Sequence, residues 1–369
     1  MKRYSTPLAG DPSVPDWWES LLNASSRNSV FLSAAWLQTW LEVYGHKFEG
    51  QWIHWEDGNT VVGGCLLVTR IVYKRFVPLR ALYLNATGEA LERTPLAEFN
   101  DILHLPGYEV AIAADFAQFV NELPWSRLLL FGYEEGGVLD RLAAVFPADL
   151  VEKEARPAAY VDVAGLSNEP FERSLSGNTR NQIGRSRRLY EARSGKINIA
   201  FASDLDEATS FLEELARLHA FRWQSKGETG SFASLPYMDF HCRLISRLWS
   251  TQAIDLIRVS AGDSVIGYLY NFRINGKVYF FQSGLAYETD PKLKPGLVTH
   301  SQAIEHYRTT GMREYDFLAG DAQYKRSLAK QHRTLYWTAI YRDRVWMRLL
   351  LWIRRFEAKF LPRIGSVFS

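Results

Sequence analysis

Ser264-Val-Ile-Gly-Tyr-Leu-Tyr-Asn-Phe-Arg-Ile274, Asn275-Gly276 and Lys277-Val-Tyr-Phe-Phe-Gln-Ser-Gly-Leu285 follow one another in the chain, and their reading decides the fold. The two flanks are rich in β-branched and aromatic residues, and the Asn-Gly pair supplies the positive φ of a tight hairpin. Two antiparallel strands are therefore expected. Asp290-Pro-Lys-Leu-Lys-Pro-Gly-Leu-Val-Thr-His300 then leads into Ser301-Gln-Ala-Ile-Glu-His-Tyr-Arg308, a helix that stops at Gly311, and Glu314-Tyr-Asp-Phe-Leu318 begins a further strand. Lys294, Pro295 and Gly296 thus precede a helix start. Unpaired N–H groups there, at the positive end of the helix dipole, favour a pyrophosphate, and a glycine lets it approach the backbone. Lys292 and Lys294 add charge. Taken alone, the same residues read equally well as an ordinary Pro-Gly turn.

The 369 residues exceed the size at which one core keeps growing, so two domains of roughly 150 to 200 residues are expected. Hydrophobic residues make up 47% and charged residues 23%, the balance of a globular chain and not of a disordered one. The 43 basic residues nearly cancel the 41 acidic ones, leaving a net charge of +2 and no global drive toward nucleic acid or membrane. Cys65 and Cys242 lie in different halves without a His/Cys cluster, which indicates neither a disulfide framework nor a metal site. A cytoplasmic setting fits these features. The opening residues lack the apolar core of a secretory signal, and Leu349-Leu-Leu-Trp-Ile353 falls short of the ~20 apolar residues that span a bilayer.

In the first half, Phe31-Leu-Ser-Ala-Ala-Trp-Leu-Gln-Thr-Trp-Leu-Glu-Val-Tyr44 has its apolar residues at helical spacing, with Ser33 as N-cap. Trp36, Trp40 and Tyr44 read first as core. Gln51-Trp-Ile-His-Trp55 and the run 61–73 form a hairpin across Asp57-Gly58-Asn59, and Arg127-Leu-Leu-Leu-Phe131 is a buried strand. The charged, Pro-containing stretch Val151-Glu-Lys-Glu-Ala-Arg-Pro-Ala-Ala159 suits a crossover, which places the boundary near residue 157. Tyr160-Val-Asp-Val163 opens the second half as a strand. The expected division is 1–157, 158–343 and a basic amphipathic helix over 344–369.

Three groups of residues invite chemistry. Gly177-Asn-Thr-Arg-Asn-Gln-Ile-Gly-Arg-Ser-Arg-Arg-Leu-Tyr-Glu-Ala-Arg193 carries five arginines against the single acid Glu191. It is either a solvated helix face or a place where guanidinium forks capture phosphate or carboxylate. In 215–232, His219, Arg222 and Trp223 fall within one helical turn ahead of Gly227 and Gly230. A lone helical histidine is usually structural, yet paired with Arg222 it can orient an acidic group or move a proton, and His241 is a weaker candidate of the same kind. Asp316 sits in an apolar strand, where a carboxylate must find partners, and Asp321 follows on the exit loop within reach of Lys325. A structural ion pair is the plain alternative.

Together, Leu218-His219, Arg222-Trp223, Gly227, Phe232, Phe240-His241, Pro295-Gly296 and Tyr315-Asp-Phe-Leu-Ala-Gly-Asp-Ala-Gln-Tyr-Lys325, with Phe31-Leu-Ser-Ala-Ala-Trp36, resemble the acetyltransferase-like family named for cellulose biosynthesis (the CelD/BcsL type), a branch of the GNAT superfamily. The likeness is strongest over 176–328, and extends to the Fem-type peptidyltransferases, which pack two GNAT-like domains in tandem and draw an aminoacyl group from tRNA. Many GNAT enzymes carry a Gln/Arg-x-x-Gly-x-Gly/Ala loop where this chain has Lys292-Leu-Lys-Pro-Gly-Leu-Val298 with one glycine.

The resemblance implies an α+β fold with a mixed sheet and tandem GNAT-like acyltransferase domains. It implies an acyltransferase that uses acetyl-CoA or another acyl-CoA as co-substrate, without a metal, on a sugar, a polysaccharide precursor or another small amine or hydroxyl acceptor. Lys294, Pro295, Gly296, Leu297, Val298 and Thr299 would bind the donor. Asp316, His219 and Arg222 would be catalytic, with oxyanion-stabilising backbone N–H groups near Asn271 to Arg273, and Trp223, His241, Asp321 and Lys325 would contact the acceptor. Two alternatives remain open: transfer from aminoacyl-tRNA held by the arginine patch, and a non-catalytic protein that binds a carbohydrate or a partner on the same fold. The segment 344–360, with an apolar stripe and a basic face, is either a helix packed on its own protein or a peripheral contact with an anionic membrane.

Overall fold

The computed structural model describes every residue except 9, 11, 75, 76, 91–93, 167, 168, 345, 346 and 349–369. The helix expected after residue 343 falls on residues outside that description, apart from 344, 347 and 348. The chain divides into two units, Met1–Ala155 with Thr334–Ser369, and Arg156–Arg333.

The first unit holds β1 (Lys2–Pro7), α1 (Trp17–Ala24), α2 (Ala34–Tyr44), β2 (Glu49–Asp57), β3 (Thr60–Lys74), β4 (Val77–Leu84), β5 (Leu103–His104), α3 (Glu109–Glu122), β6 (Arg127–Glu134) and α4 (Val138–Val145). Strand β7 (Val151–Asp162) crosses the division. The second unit continues with α5 (Gly177–Ser194), β8 (Ile197–Phe201), α6 (Leu205–Gln224), α7 (Leu235–Trp249), β9 (Ile254–Ala261), β10 (Ser264–Ile274), β11 (Lys277–Leu285), α8 (Pro295–Thr309), β12 (Glu314–Ala319) and α9 (Gln323–Leu328). The last described strand is β13 (Gln331–Tyr341).

Strand order in the first unit runs β1-β2-β3-β4-β6-β13, and in the second β7-β12-β11-β10-β9-β8. Each unit has one parallel pair in the middle of an antiparallel array, reached through a helix. In the first unit Ala81, Leu82 and Tyr83 of β4 face Arg127, Leu128 and Leu129 of β6. In the second, Lys277, Val278 and Tyr279 of β11 face Glu314, Tyr315 and Asp316 of β12. The same plan is thus built twice, from sequences that share no visible repeat.

Local chemistry sets the elements where it was expected to. Ser33 Oγ accepts the Trp36 N–H at 3.2 Å and starts α2. Trp36, Trp40 and Tyr44 of that helix are buried core. Asn275 and Gly276 take φ of 49° and 75°, closing the β10–β11 hairpin. Three expectations need correcting. The charged stretch 151–159 crosses the division as expected, but as most of strand β7 and not as a loop, its exposure alternating over 152–157, with Gly320 N–H bonded to the Pro157 carbonyl. Residues from Thr334 onward belong to the first unit and not to a domain ending at 343, because β13 pairs with β6 from Leu335 to Tyr341. Finally, α8 begins six residues before Ser301, at Pro295, whose missing N–H costs nothing in a first turn.

In the second unit, Tyr270 of β10 meets His241 of α7, while its neighbour Asn271 bonds Tyr307 of α8. The helices therefore take opposite faces of the sheet. The core on the α8 face includes Val259, Ile266, Leu269, Val298, Ile304 and Tyr315, all buried. Gly284 is required on the other face, since a Cβ there would lie 2.4 Å from the Leu215 carbonyl oxygen of α6. Among the described residues no helix is long and apolar enough to cross a membrane.

Candidate functional site

Pairing between β11 and β12 stops at Tyr279 and Asp316, although β11 runs on to Leu285 and β12 to Ala319. Beyond that point the two strands part, and β11 keeps only β10 as a partner as far as Leu285. The Ser283 N–H consequently bonds the Gln282 side-chain oxygen at 3.2 Å. A cleft of about 560 Å³ opens at this gap. Its walls come from β11 (Ser283, Leu285), the start of α8 (Pro295, Gly296, Leu297), α9 (Gln323, Tyr324) and the start of α5 (Asn178, Thr179).

No side chain caps the N-terminus of α8. Its first intrahelical bond is Val298 N–H to the Lys294 carbonyl, so the N–H groups of Gly296 and Leu297 precede the helical ladder and face whatever occupies the cleft. A Cβ on Gly296 would come within 3.2 Å of Leu285 Cδ1 in the opposite wall, so glycine keeps that approach open. The Lys294 N–H bonds Ser186 Oγ of α5 at 2.9 Å, which fixes the turn into the helix. Backbone donors, the positive end of a helix dipole and a lysine thus meet at one mouth of the cleft, a combination that favours negative charge.

The expected residues divide by position. Lys294, Pro295, Gly296 and Leu297 line the cleft, as does Arg222, whose guanidinium lies 4.3 Å from the Tyr287 ring centre. Val298 and Thr299 are buried behind the wall. His219 and Trp223 form a separate nook, where Trp223 Nε1–H donates to His219 Nε2 at 2.7 Å and Phe232 lies edge-on to the imidazole. Burial holds that imidazole's pKa down to about 4, so it is neutral at pH 7. His241 is enclosed by Tyr237, Phe240 and Phe281, its pKa pushed to about 3 by burial, with the Tyr270 hydroxyl 3.3 Å from Nδ1. Asp321 pairs with Arg326 at 2.5 Å on the surface. Lys325 Nζ donates to the carbonyls of Leu318 and Ala319 at 3.0 and 2.7 Å and so closes the β12–α9 turn.

Asp316 is fully buried and accepts the Leu318 N–H at 2.7 Å. Arg333 Nε stands 3.5 Å from its other oxygen, while the Arg333 fork also holds Glu314 at 2.7 Å and lies over the Tyr160 ring. This is the geometry of an ion-pair network inside the sheet, outside the walls of the cleft. The backbone of 271–273 is likewise engaged, paired with both β9 and β11, so the free strand N–H belongs to β11 near Ser283. Sequence reading missed His300 and Tyr324, whose rings stack in the cleft wall at 5.2 Å and 9°. Both stood inside quoted motifs, but only the strand gap shows which way they face. Among the described residues no His, Cys, Asp or Glu group is arranged to hold a metal ion.

The arginines of α5 border a groove of about 540 Å³ lined by Arg180, Arg185 and Arg188 and sharing Asn178 and Gln182 with the cleft. Arg187 is held by Glu172 at 2.9 Å. In the first unit the corresponding strand gap is filled. Asn85 Nδ2 bonds Asn100 Oδ1 at 2.6 Å and the Asp101 carbonyl at 2.8 Å, and Asp101 accepts the N–H groups of Val138 and Leu139. At the start of α3, Glu109 accepts the Gly107 N–H at 3.0 Å.

Comparisons with known proteins agree with this geometry. Residues 177–326 match the family model described as an acetyltransferase (GNAT) domain. No curated protein matches the sequence. The crystal structure of FemX superposes with a TM-score of 0.58 at 11% identity, covering 92% of this chain and 97% of that one. L-PGS from Bacillus licheniformis gives 0.54 at 9% identity over 95% and 98% of the two chains. A conserved protein of unknown function from Bacteroides thetaiotaomicron VPI-5482 gives 0.53 at 10% identity, over 88% and 97%. At such identities the likeness is one of fold. The strand gap and the uncapped helix start both fall inside the residues that match the GNAT acetyltransferase model, and the second unit has the build of an acyltransferase.

Proposed function

We propose that the second unit transfers an acyl group, acetyl in the first place, from acyl-CoA to an amine or hydroxyl of a sugar, a polysaccharide precursor or another small acceptor. The observation that carries this reading is the uncapped start of α8, with Gly296 at the mouth of the β11–β12 gap. The N–H groups of Gly296 and Leu297, with Lys294, would take the pyrophosphate, and the pantetheine arm would run into the gap between the strands. There the Ser283 N–H, now turned to the Gln282 side chain, is free to exchange partners and polarise the thioester carbonyl. The acceptor attacks that carbon, the C–N or C–O bond forms, the C–S bond breaks, and the proton the acceptor loses leaves with coenzyme A as its thiol. Arg222 over Tyr287 is placed to orient the acceptor at the mouth. Binding both partners in line accounts for the rate without a covalent acyl-enzyme.

Thermal-shift titration with acetyl-CoA and longer acyl-CoAs tests the donor, because a ligand that binds only the folded form raises the melting temperature by mass action. No shift with any acyl-CoA, against a shift with charged tRNA, would reverse the assignment. The second reading, an aminoacyl-tRNA donor, is supported by the arginine groove that shares Asn178 and Gln182 with the cleft and by the fold likeness to FemX. It requires RNA binding that weakens steeply with salt and whose salt slope falls by about one per arginine removed from Arg180 and Arg188.

A further inference from the structure

A line of hydrogen bonds crosses the core of the second unit and ends at the cleft. Asp255 accepts the Tyr307 hydroxyl at 2.7 Å and faces Arg273 Nε at 3.1 Å. Burial raises the Asp255 carboxyl, and the Arg273 guanidinium beside it opposes that rise. Asn271 Nδ2 lies 3.1 Å from the Tyr307 oxygen, and the Tyr315 hydroxyl lies 3.1 Å from His300 Nδ1.

The direction of each bond follows from the first. A carboxylate only accepts, so the Tyr307 hydrogen points to Asp255 and its oxygen accepts from the Asn271 amide. That orients the amide, which also donates to the Tyr315 oxygen, while its Oδ1 is buried without a hydrogen-bond partner, so the Tyr315 hydrogen does not go to Asn271. It goes to His300 Nδ1. An imidazole that accepts at Nδ1 and is neutral carries its proton on Nε2. His300 is neutral because burial, aided by Lys325, pushes its pKa down to about 3. The ring is wedged between Tyr324 at 5.2 Å and Phe280 at 4.5 Å, so it cannot turn over freely. Nδ1 faces Tyr315 in the core, and His300 is among the residues that line the cleft.

We propose that His300 is a donor of fixed tautomer, whose Nε2–H holds a carbonyl oxygen of the acyl donor bound in the cleft. The inference rests on the acyl-CoA reading above and adds to it a positioning group outside the backbone cradle. His300 acts as a donor only, since Nδ1 is occupied and Nε2 already protonated. It therefore does not receive the acceptor's proton.

Ring ¹⁵N spectra of the whole chain test the tautomer directly. We expect the His300 proton on Nε2, and loss of that preference in Tyr315→Phe. A proton on Nδ1 in the unaltered chain, or an unchanged spectrum in Tyr315→Phe, overturns the proposal. Calorimetry with acetyl-CoA tests the contact. His300→Phe should weaken binding roughly tenfold, while His300→Gln, whose amide can donate from the place of Nε2, should stay within about threefold. If folded His300→Phe binds as well as the parent, the proposal fails alone. If the parent chain binds no acetyl-CoA, the donor reading of the cleft fails and the proposed contact with it, while the ring spectrum still decides the tautomer. Should His300→Phe not fold, Tyr315→Phe serves in its place, with a drop in acetyl-CoA affinity expected and an unchanged affinity against the proposal.

Discussion

Replacing Gly296 by valine separates binding from folding. Gly296 is the second residue of α8 and keeps a backbone that other residues adopt freely, so the substitution brings no conformational strain. Its Cβ would sit 3.2 Å from Leu285 Cδ1, a contact relieved by a shift of a few tenths of an ångström in a flexible side chain. Leaving glycine for a residue with fewer unfolded conformations favours folding by about 0.4–1 kcal/mol, which offsets that contact. The two further methyl groups of valine stand in the cleft, over the N–H groups of the first turn. A phosphate oxygen kept off one such N–H forfeits a charge-assisted bond of about 1.5–3 kcal/mol, or roughly 10- to 100-fold in affinity. Isothermal calorimetry with acetyl-CoA, alongside thermal melts of both proteins, reads the two effects apart. The expected result is a melting temperature within a few degrees of the parent and a dissociation constant raised by at least about tenfold. Equal affinity in the folded variant would refute the anion site at α8.

Asp316→Asn removes one of the two carboxylates around Arg333, which keeps Glu314, so it should destabilise the protein by about 1–3 kcal/mol while the folded fraction keeps its activity. Full stability with activity lost about 10²-fold would instead make Asp316 a participant in the chemistry. Acid should destabilise the chain through its buried histidines. His241 has a folded pKa of about 3 against 6.5 unfolded, so below pH 6.5 the unfolded chain binds the extra proton and stability falls with pH until the folded group also titrates. At pH 5 this amounts to about 2 kcal/mol, and His241→Phe should show a correspondingly smaller loss of melting temperature between pH 7 and pH 5. An unchanged loss contradicts the assignment. For a membrane role of the basic stretch, the full chain must bind vesicles rich in anionic lipid at low salt and a chain truncated after Arg342 must not; a full chain that does not bind, or a truncated one that binds equally well, rules it out.

The sequence carried the hairpin at Asn275-Gly276, the capped helix at Ser33 and the Pro-Gly helix start beside the cleft, because each rests on residues adjacent in the chain. It misled where a residue's role depends on which face of the sheet it meets. Asp316 was expected to need a partner, with Lys325 the cation in view, but the one beside it is Arg333, seventeen positions on. His219 and Arg222 share a helical turn, yet one is sealed against Trp223 and the other reaches the cleft. His300 carried no local mark at all. Its partner Tyr315 lies on the far side of a helix and a turn, and its exposure depends on where β11 and β12 part.

The filled gap of the first unit bears on how the protein responds to its ligand. Side chains of the chain itself, Glu109 and Asp101, accept the N–H groups at the starts of α3 and α4. In the second unit no side chain does this at α8. Under the proposed acyl-CoA reading, donor concentration would enter the local stability of residues 177–326 and not that of 85–138. Amide exchange should slow on loading around α8, β11 and α5 while the Asn85–Asp101 segment keeps its rate, so that the thermal record of a titration reads one half of a duplicated plan.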